Sequence, residues 1–303
     1  MKKFLRIHPE VAQAIRMNKP VVALESTILA HGMPYPENIA MAKEVGAIIR
    51  EYGAVPATIA CLGGFIHVGL TDEQMLQLAS EPNVMKVSRR DLPYVLAKNK
   101  LAATTVASTM IAAELAGIRI FVTGGIGGVH REWNQSLDIS ADLIELSKTN
   151  VAVVSAGAKA ILDIPATLEL LETLGVPVLS YKEEYFGAFY SNSSGIALEM
   201  ICESPEDIAK ILHTKWSMGL NGGVLLSNPI PKGDEIGAEF IEPIIREAVE
   251  SAKSSGISGK ALTPFLLSTI KKKTEGESLR ANIALVKNNA KLGAQVALQL
   301  SKL

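Results

Sequence analysis

Val151-Ala152-Val153-Val154-Ser155 runs straight into Ala156-Gly157-Ala158-Lys159-Ala160. Four apolar residues in a row, three of them β-branched and none alternating with a polar side chain, fit a strand covered on both faces. That is the habit of parallel sheets flanked by helices. Comparable runs occupy 20–24, 57–62, 103–106, 118–123, 176–181 and 223–227. Amphipathic stretches separate them, over 36–52, 71–79, 107–116, 138–149, 163–174 and 205–218. The alternation predicts an α/β fold, a three-layer α/β/α arrangement with a mostly parallel (mixed) central sheet. After Pro231 the pattern changes. Residues 234–255, 259–274 and 277–303 read as consecutive helices, with Gly256-Ile257-Ser258-Gly259 as a connection. No shift in composition marks a linker, so 1–303 reads as a single domain whose 233–303 portion is a helical C-terminal layer.

Composition narrows the class. The chain has 303 residues, 48% hydrophobic and 20% charged, enough to bury a core without cross-links. Lys+Arg number 30 against 31 Asp+Glu, a net charge of -1 that gives no electrostatic pull toward nucleic acid or an anionic membrane. Cys61 and Cys202 cannot build a disulfide framework, and no CxxC pair suggests a zinc knuckle. The opening Met1-Lys2-Lys3-Phe4-Leu5-Arg6-Ile7-His8-Pro9 breaks before any apolar core, unlike a signal peptide. No apolar run reaches the ~20 residues that span a bilayer. The expectation is a soluble cytoplasmic protein with a small-molecule ligand, and no nucleic-acid or membrane partner.

In doubly covered sheets, ligands gather at the carboxyl ends of strands. Five such ends hold unusual residues: Glu25-Ser26-Thr27, Gly63-Gly64, Ala107-Ser108-Thr109, 124–130 and Ala156-Gly157-Ala158-Lys159. The glycines at 124–128 resemble a dinucleotide fingerprint, but from Gly125 the third glycine would fall on His130. A phosphate loop at Gly259-Lys260 fails as well, because Ser254 stands where a glycine is needed. The run is either a flexible turn or bare backbone that lets a substrate come close.

Lys159 has small neighbours on both sides and follows the most apolar strand. An ordinary lysine is a solvated charge; one desolvated in such a place becomes an amine nucleophile able to form a Schiff base with a carbonyl carbon. Glu25 ends another buried strand, as a paired carboxylate or a tuned general acid. Asp138 and Asp142 stand four apart, which on a helix would turn both carboxylates to one side and suit a hard divalent cation. Asp138 or Ser140 serves equally well as an N-cap. Lys86-Val87-Ser88-Arg89-Arg90-Asp91 is locally basic, and reads as solvated surface or as a grip for a phosphate monoester. Asn282 offers an uncharged donor and acceptor.

With these residues in view, the chain resembles the pseudouridine-5′-phosphate glycosidase family, also called indigoidine synthase A-like. The likeness covers nearly the whole chain. Its longest strings are 21–28 with His31-Gly32-Met33-Pro34, 53–60, 86–93, 104–110, 123–131, 138–143, 156–159, 219–223, 228–231 and 263–267. The resemblance implies a lyase of the carbon–oxygen hydro-lyase class. It would reversibly cleave the C-glycosidic bond of pseudouridine 5′-phosphate to ribose 5-phosphate and uracil, through a lysine Schiff-base adduct in pseudouridine degradation. It implies Lys159 as covalent nucleophile, Glu25 as proton donor, and Asp138 as ligand of a divalent metal, Mn2+. It implies Lys86, Val106, Ser140, Ala141 and Asp142 as substrate contacts, with His130 and Asn282 as further site positions, and a homotrimer. The alternative is another Schiff-base-forming sugar-phosphate lyase or aldolase, which would have no use for uracil. A sugar kinase would need ATP-binding glycines that the spacing does not provide, and a non-catalytic nucleotide-binding module would show no turnover.

Overall fold

The computed structural model describes residues 2–303. Its strands are β1 (Leu5–Ile7), β2 (Val21–Leu24), β3 (Val55–Leu62), β4 (Phe65–Val68), β5 (Met85–Val87), β6 (Ala102–Thr104) and β7 (Ile120–Val122). They continue with β8 (Val129–His130), β9 (Ala152–Ser155), β10 (Leu162–Asp163), β11 (Val178–Tyr181), β12 (Ile201–Cys202) and β13 (Val224–Ser227). The helices begin with α1 (Pro9–Arg16), α2 (Glu37–Glu51), α3 (Asp72–Ser80), α4 (Leu92–Ala97), α5 (Val106–Ala116) and α6 (Trp133–Ser136). They end with α7 (Ala141–Leu146), α8 (Ile164–Thr173), α9 (Pro205–Ser217), α10 (Ala238–Ser254), α11 (Leu262–Lys273) and α12 (Glu277–Leu300).

Eleven strands form one sheet along β1-β4-β3-β2-β7-β9-β13-β11-β12, with β6 beside β3 and β5 beside β6. The run from β3 through β12 is parallel, while β3 meets β4 and β6 antiparallel. The sheet is therefore mixed and mostly parallel, as the sequence predicts. Every residue of β2, β7, β9 and β13 is buried. These are the strands whose all-apolar runs announce them.

Both faces are covered. On one, α12 packs against β2, β7 and β9 and against α2 and α9; on the other, α5 lies against β2, β3, β6 and β7 and against α7. Nine of the eleven residues of α5 are buried, so it is apolar all round, as a helix must be when it is wedged between a sheet and further helices. Gly293 marks how closely α12 approaches the sheet. A Cβ there would fall 2.2 Å from Val122 Cγ2, so the helix axis can come down onto β7 only with glycine at this position. The three expected C-terminal helices are present, with a short 3-10 turn at Gly259–Ala261 leading into α11. Among the described residues, no helix is long and apolar enough to cross a membrane.

Three expected boundaries move. Val106 opens α5 instead of closing a strand, and β6 stops at Thr104. The stretch 138–149 yields only the six-residue α7. The short strands β1, β4, β5 and β12 of this sheet have no sequence expectation behind them.

Candidate active site

The strand order places β2, β7 and β9 side by side, all parallel. Their carboxyl ends lead into Glu25, Thr123 and the turn that reaches Lys159. Three segments far apart in sequence thus deliver an acid, a hydroxyl and an amine to one rim of the sheet. A cavity of about 460 Å³ opens there, the size of a nucleotide-binding cleft. All ten residues chosen from the sequence line it: Glu25, Lys86, Val106, His130, Asp138, Ser140, Ala141, Asp142, Lys159 and Asn282.

Glu25 is 9% exposed, and its Oε1 accepts the hydroxyl of Thr123. The next residue locks the turn: Ser26 Oγ donates to the Ile59 carbonyl at 2.7 Å and accepts the Thr104 N–H at 2.9 Å. Thr27 Oγ1 donates to the Thr104 carbonyl at 2.8 Å. Burial pushes the Glu25 carboxyl above its ordinary value; the nearby Lys159 ammonium and the Thr123 hydroxyl oppose this without cancelling it. Such a group holds a proton where an exposed glutamate would have lost it. Lys159 is half-buried, on a turn laced to the glycine run: Ile126 N–H donates to the Gly157 carbonyl, and Lys159 N–H to the Ile126 carbonyl, each at 3.1 Å.

Beyond these two, the cavity is strongly cationic. Lys86, on β5, has its ammonium lowered first by burial and then by the charge of Lys159, with Asp142 and Glu25 opposing. Val106 starts α5 after Thr105, which caps no N–H with its side chain. The first-turn amide of Val106 is thus left uncapped by Thr105, in the cavity that Lys86 also lines. Arg89 also lines this end, held by Glu145, a 1%-exposed carboxylate that accepts Nε at 2.6 Å and Nη2 at 2.8 Å.

The paired-carboxylate reading of Asp138 and Asp142 is overturned. The helix begins only at Ala141, with Ser140 as N-cap accepting the Asp142 N–H at 3.2 Å. Asp138 precedes it in an extended stretch, where its carbonyl accepts the His130 N–H and Ile139 pairs with Val129. The carboxylates therefore do not share a helix face. Asp142 is instead a strut, accepting the N–H of Ala107 at 2.9 Å and that of Gly127 at 2.9 Å. Each of its oxygens holds one backbone amide, so its first task is to fix these two loops. Asp138 keeps its carboxylate free, 37% exposed, with His130 Nε2 at 3.9 Å. Burial lowers the His130 imidazolium and Asp138 opposes that, so the ring tends to the neutral form. Among the described residues, no three His, Cys, Asp or Glu side chains converge as a cage. The donor set present, the free carboxylate of Asp138 lining the cavity, fits a hard divalent ion that keeps most of its waters.

Several participants escape a reading of the sequence alone. Thr123 is one, since nothing in a sequence says which hydroxyl will face Glu25. Phe189 is another: it folds over the glycine run, where a Cβ on Gly125 would lie 2.6 Å from its ring. A Cβ on Gly127 would lie 2.3 Å from Ser140 Oγ. The bareness of 124–128 is thus used first to admit other side chains of the protein, and the glycines were the available signal. His31 and Asn282 line the cavity too; His31 Nε2 and Asn282 Oδ1 are buried and have no hydrogen-bond partner.

A family model described as indigoidine synthase A like protein matches residues 10–299. The chain is 56% identical over 303 residues to the pseudouridine-5′-phosphate glycosidase of Caldanaerobacter subterraneus subsp. tengcongensis, covering 100% of this chain and 99% of the relative. It is 57% identical over 301 residues to the protein of that name from Geobacillus kaustophilus, covering 99% and 100%. Among solved structures, the prealnumycin C-glycosynthase in complex with ribulose 5-phosphate superposes with a TM-score of 0.92 at 37% identity, covering 99% of this chain and 98% of that one. An indigoidine synthase A-like protein from Thermotoga maritima gives 0.89 at 35% identity, covering 98% and 97%.

Proposed function

Because the chain belongs to the indigoidine synthase A-like family, we infer that its cavity breaks and re-forms the C-glycosidic bond of pseudouridine 5′-phosphate, exchanging it for ribose 5-phosphate and uracil. The observation that carries this reading is the convergence of Glu25 and Lys159, from strands β2 and β9, in one cavity with the cationic end at Lys86.

A carbon–carbon glycosidic bond resists the two-carboxylate chemistry of O-glycosides, because the base leaves through carbon and protonating a heteroatom does not release it. An amine solves the problem by supplying an electron sink. Glu25 gives its proton to the furanose oxygen as the ring opens, and the Lys159 amine bonds to the first sugar carbon. The nitrogen lone pair then becomes the imine bond while the electrons of the carbon–carbon bond go to the uracil ring, whose departing carbon takes up a proton. Water adds to the imine, releasing ribose 5-phosphate and restoring the amine. Lys86, Arg89 and the Val106 N–H receive the phosphate; Ser140, Ala141, His130 and Asn282 border the sugar and base. Asp142 acts at one remove, holding the Gly127 and Ala107 amides in place. Asp138 would hold the divalent metal, Mn2+, which when bound supplies positive charge to orient waters and substrate oxygens.

The same reading makes 1–303 one catalytic domain, in keeping with a single large apolar cluster that spans Leu5 to Ala297. It makes the assembly a homotrimer, and Trp133, Leu137, Ile139 and Ile144 are exposed large apolar side chains of the kind a subunit contact covers. It places the enzyme in the cytoplasm, working in the degradative direction. The direct test is borohydride reduction with ribose 5-phosphate followed by peptide mass spectrometry. The expected result is a pentitol phosphate on Lys159. An unlabelled Lys159 in a protein that still consumes uracil removes the covalent step.

A further inference from the structure

The chemistry above leaves the helical wall of the cavity without a task, yet Gly259, Lys260, Thr263, Pro264 and Leu267 all line it. Lys260 is the informative member. Its Nζ donates to Asp91 Oδ2 at 2.8 Å and to the backbone carbonyl of Lys86 at 3.2 Å. The same Asp91 oxygen accepts the Ser88 N–H at 3.0 Å, and Asp91 N–H returns to the Ser88 carbonyl at 3.0 Å. One ammonium therefore reaches both ends of the turn that runs from Lys86 to Asp91. Burial would raise the Asp91 carboxyl, but Lys260, the Ser88 amide and Arg90 together hold it below its ordinary value.

This turn needs holding. β5 has three residues and borders β6 alone, so its other edge has no strand to fix the backbone that carries Lys86. Arg89, clamped by Glu145 of α7, anchors the turn from the body of the protein. Lys260 anchors it from the helical layer. Its side chain is 41% exposed, so the ion pair with Asp91 adds little to overall stability and its value lies in where it puts the turn. We propose that Lys260 is a positioning residue for the phosphate end of the site. Docking of the helical layer and placement of Lys86 are then one event, and a sugar phosphate meets a correctly set Lys86 only when that layer is closed.

The proposal rests on the reading of Lys86 as a phosphate contact, and the experiment separates the two. Wild type, K260M and K260R are compared in the synthetic direction, varying ribose 5-phosphate and uracil independently. For K260M the expected result is a KM for ribose 5-phosphate raised about tenfold, the worth of one charge-assisted hydrogen bond. The KM for uracil and kcat stay within about twofold, since interactions made equally in ground and transition state leave kcat alone. K260R, which keeps the charge and donors, lies between the two. If K260M does not accumulate folded, K260Q carries the same expectation. An unchanged KM for ribose 5-phosphate overturns the proposal. So does a parallel loss in both KM values and kcat, which is what a merely structural lysine would give. A wild type that consumes no uracil sinks the activity itself, and is seen before any variant is made.

Discussion

The cavity has two walls of different construction. The sheet wall presents Glu25, Thr123 and Lys159 just past the ends of strands whose residues are all buried and whose backbones are bonded to neighbours on both sides. The helical wall comes from the α10–α11 hairpin, which joins the core through Ile245 and Ile270 but meets the loops beside the site through charged contacts. These are Arg131 with Glu242 at 2.7 Å, Lys253 with Glu132 at 3.0 Å and Lys260 with Asp91 at 2.8 Å. Ladder hydrogen bonds and apolar burial cannot be released piecemeal, whereas partly exposed ion pairs open at small cost. The groups to which we assign bond-making therefore stand next to fixed strand ends, while the phosphate end leans on contacts that open more easily.

The sharpest way to break this contrast is at the sheet wall. Replacing Lys159 by Ala should lower uracil release by more than about 10⁴-fold and abolish borohydride trapping, because it removes the amine to which we assign the adduct. Substantial residual turnover would move the chemistry off this wall. Glu25→Gln keeps the shape and removes the proton, and should cost about 10²–10⁴-fold in kcat. In the wild type, the step that needs Glu25 protonated should fade as pH climbs through its raised value, and that alkaline limb should vanish in E25Q.

The same proton is written into stability. The folded chain holds it above the ordinary glutamate value, so it binds the proton more tightly than the unfolded chain does. This contribution is fully present below the unfolded value and is lost as pH rises through the folded one. The melting temperature of wild type relative to E25Q should therefore fall as pH climbs from the ordinary glutamate range through the raised folded value, as read by calorimetry. A flat difference would mean that burial does not tune this carboxyl.

Smaller effects should separate the walls again. Gly127→Ala forces a methyl against Ser140 and Asp142 within the packed sheet end, and should cost about 2 kcal/mol in urea unfolding. Glu242→Gln weakens one strut of the helical wall and should change stability by less than about 1 kcal/mol. A reversal of that order would show the helical wall to be the rigid one.

Much of the fold was legible because burial on both faces leaves an unmistakable mark, as in Val151–Val154 and the fully apolar α5. The short strands β1, β4 and β5 were not. At three or four residues each, their pairing is decided by neighbours and not by their own pattern. The site residues emerged from their places after strands and from a family likeness, and all ten reach the cavity. Their geometry did not follow so easily. Asp138 and Asp142 look like a helical pair only if the helix starts early, and Ser140 starts it late. Thr123, Phe189 and Lys260 were hidden for a related reason: each matters through a partner supplied by a distant segment.

Asn289 of α12 donates to the Thr123 carbonyl at 2.9 Å and accepts from Asn228 at 2.9 Å, across separations of 166 and 61 residues. On a growing polypeptide, the strands bearing the acid and the amine emerge long before that asparagine does. Until the twelfth helix settles on β7, the reactive end of the sheet has no ceiling, and a free amine there would be open to any passing aldehyde. The chamber is therefore finished only by contacts that bridge long stretches of chain, the kind of closure that slows folding.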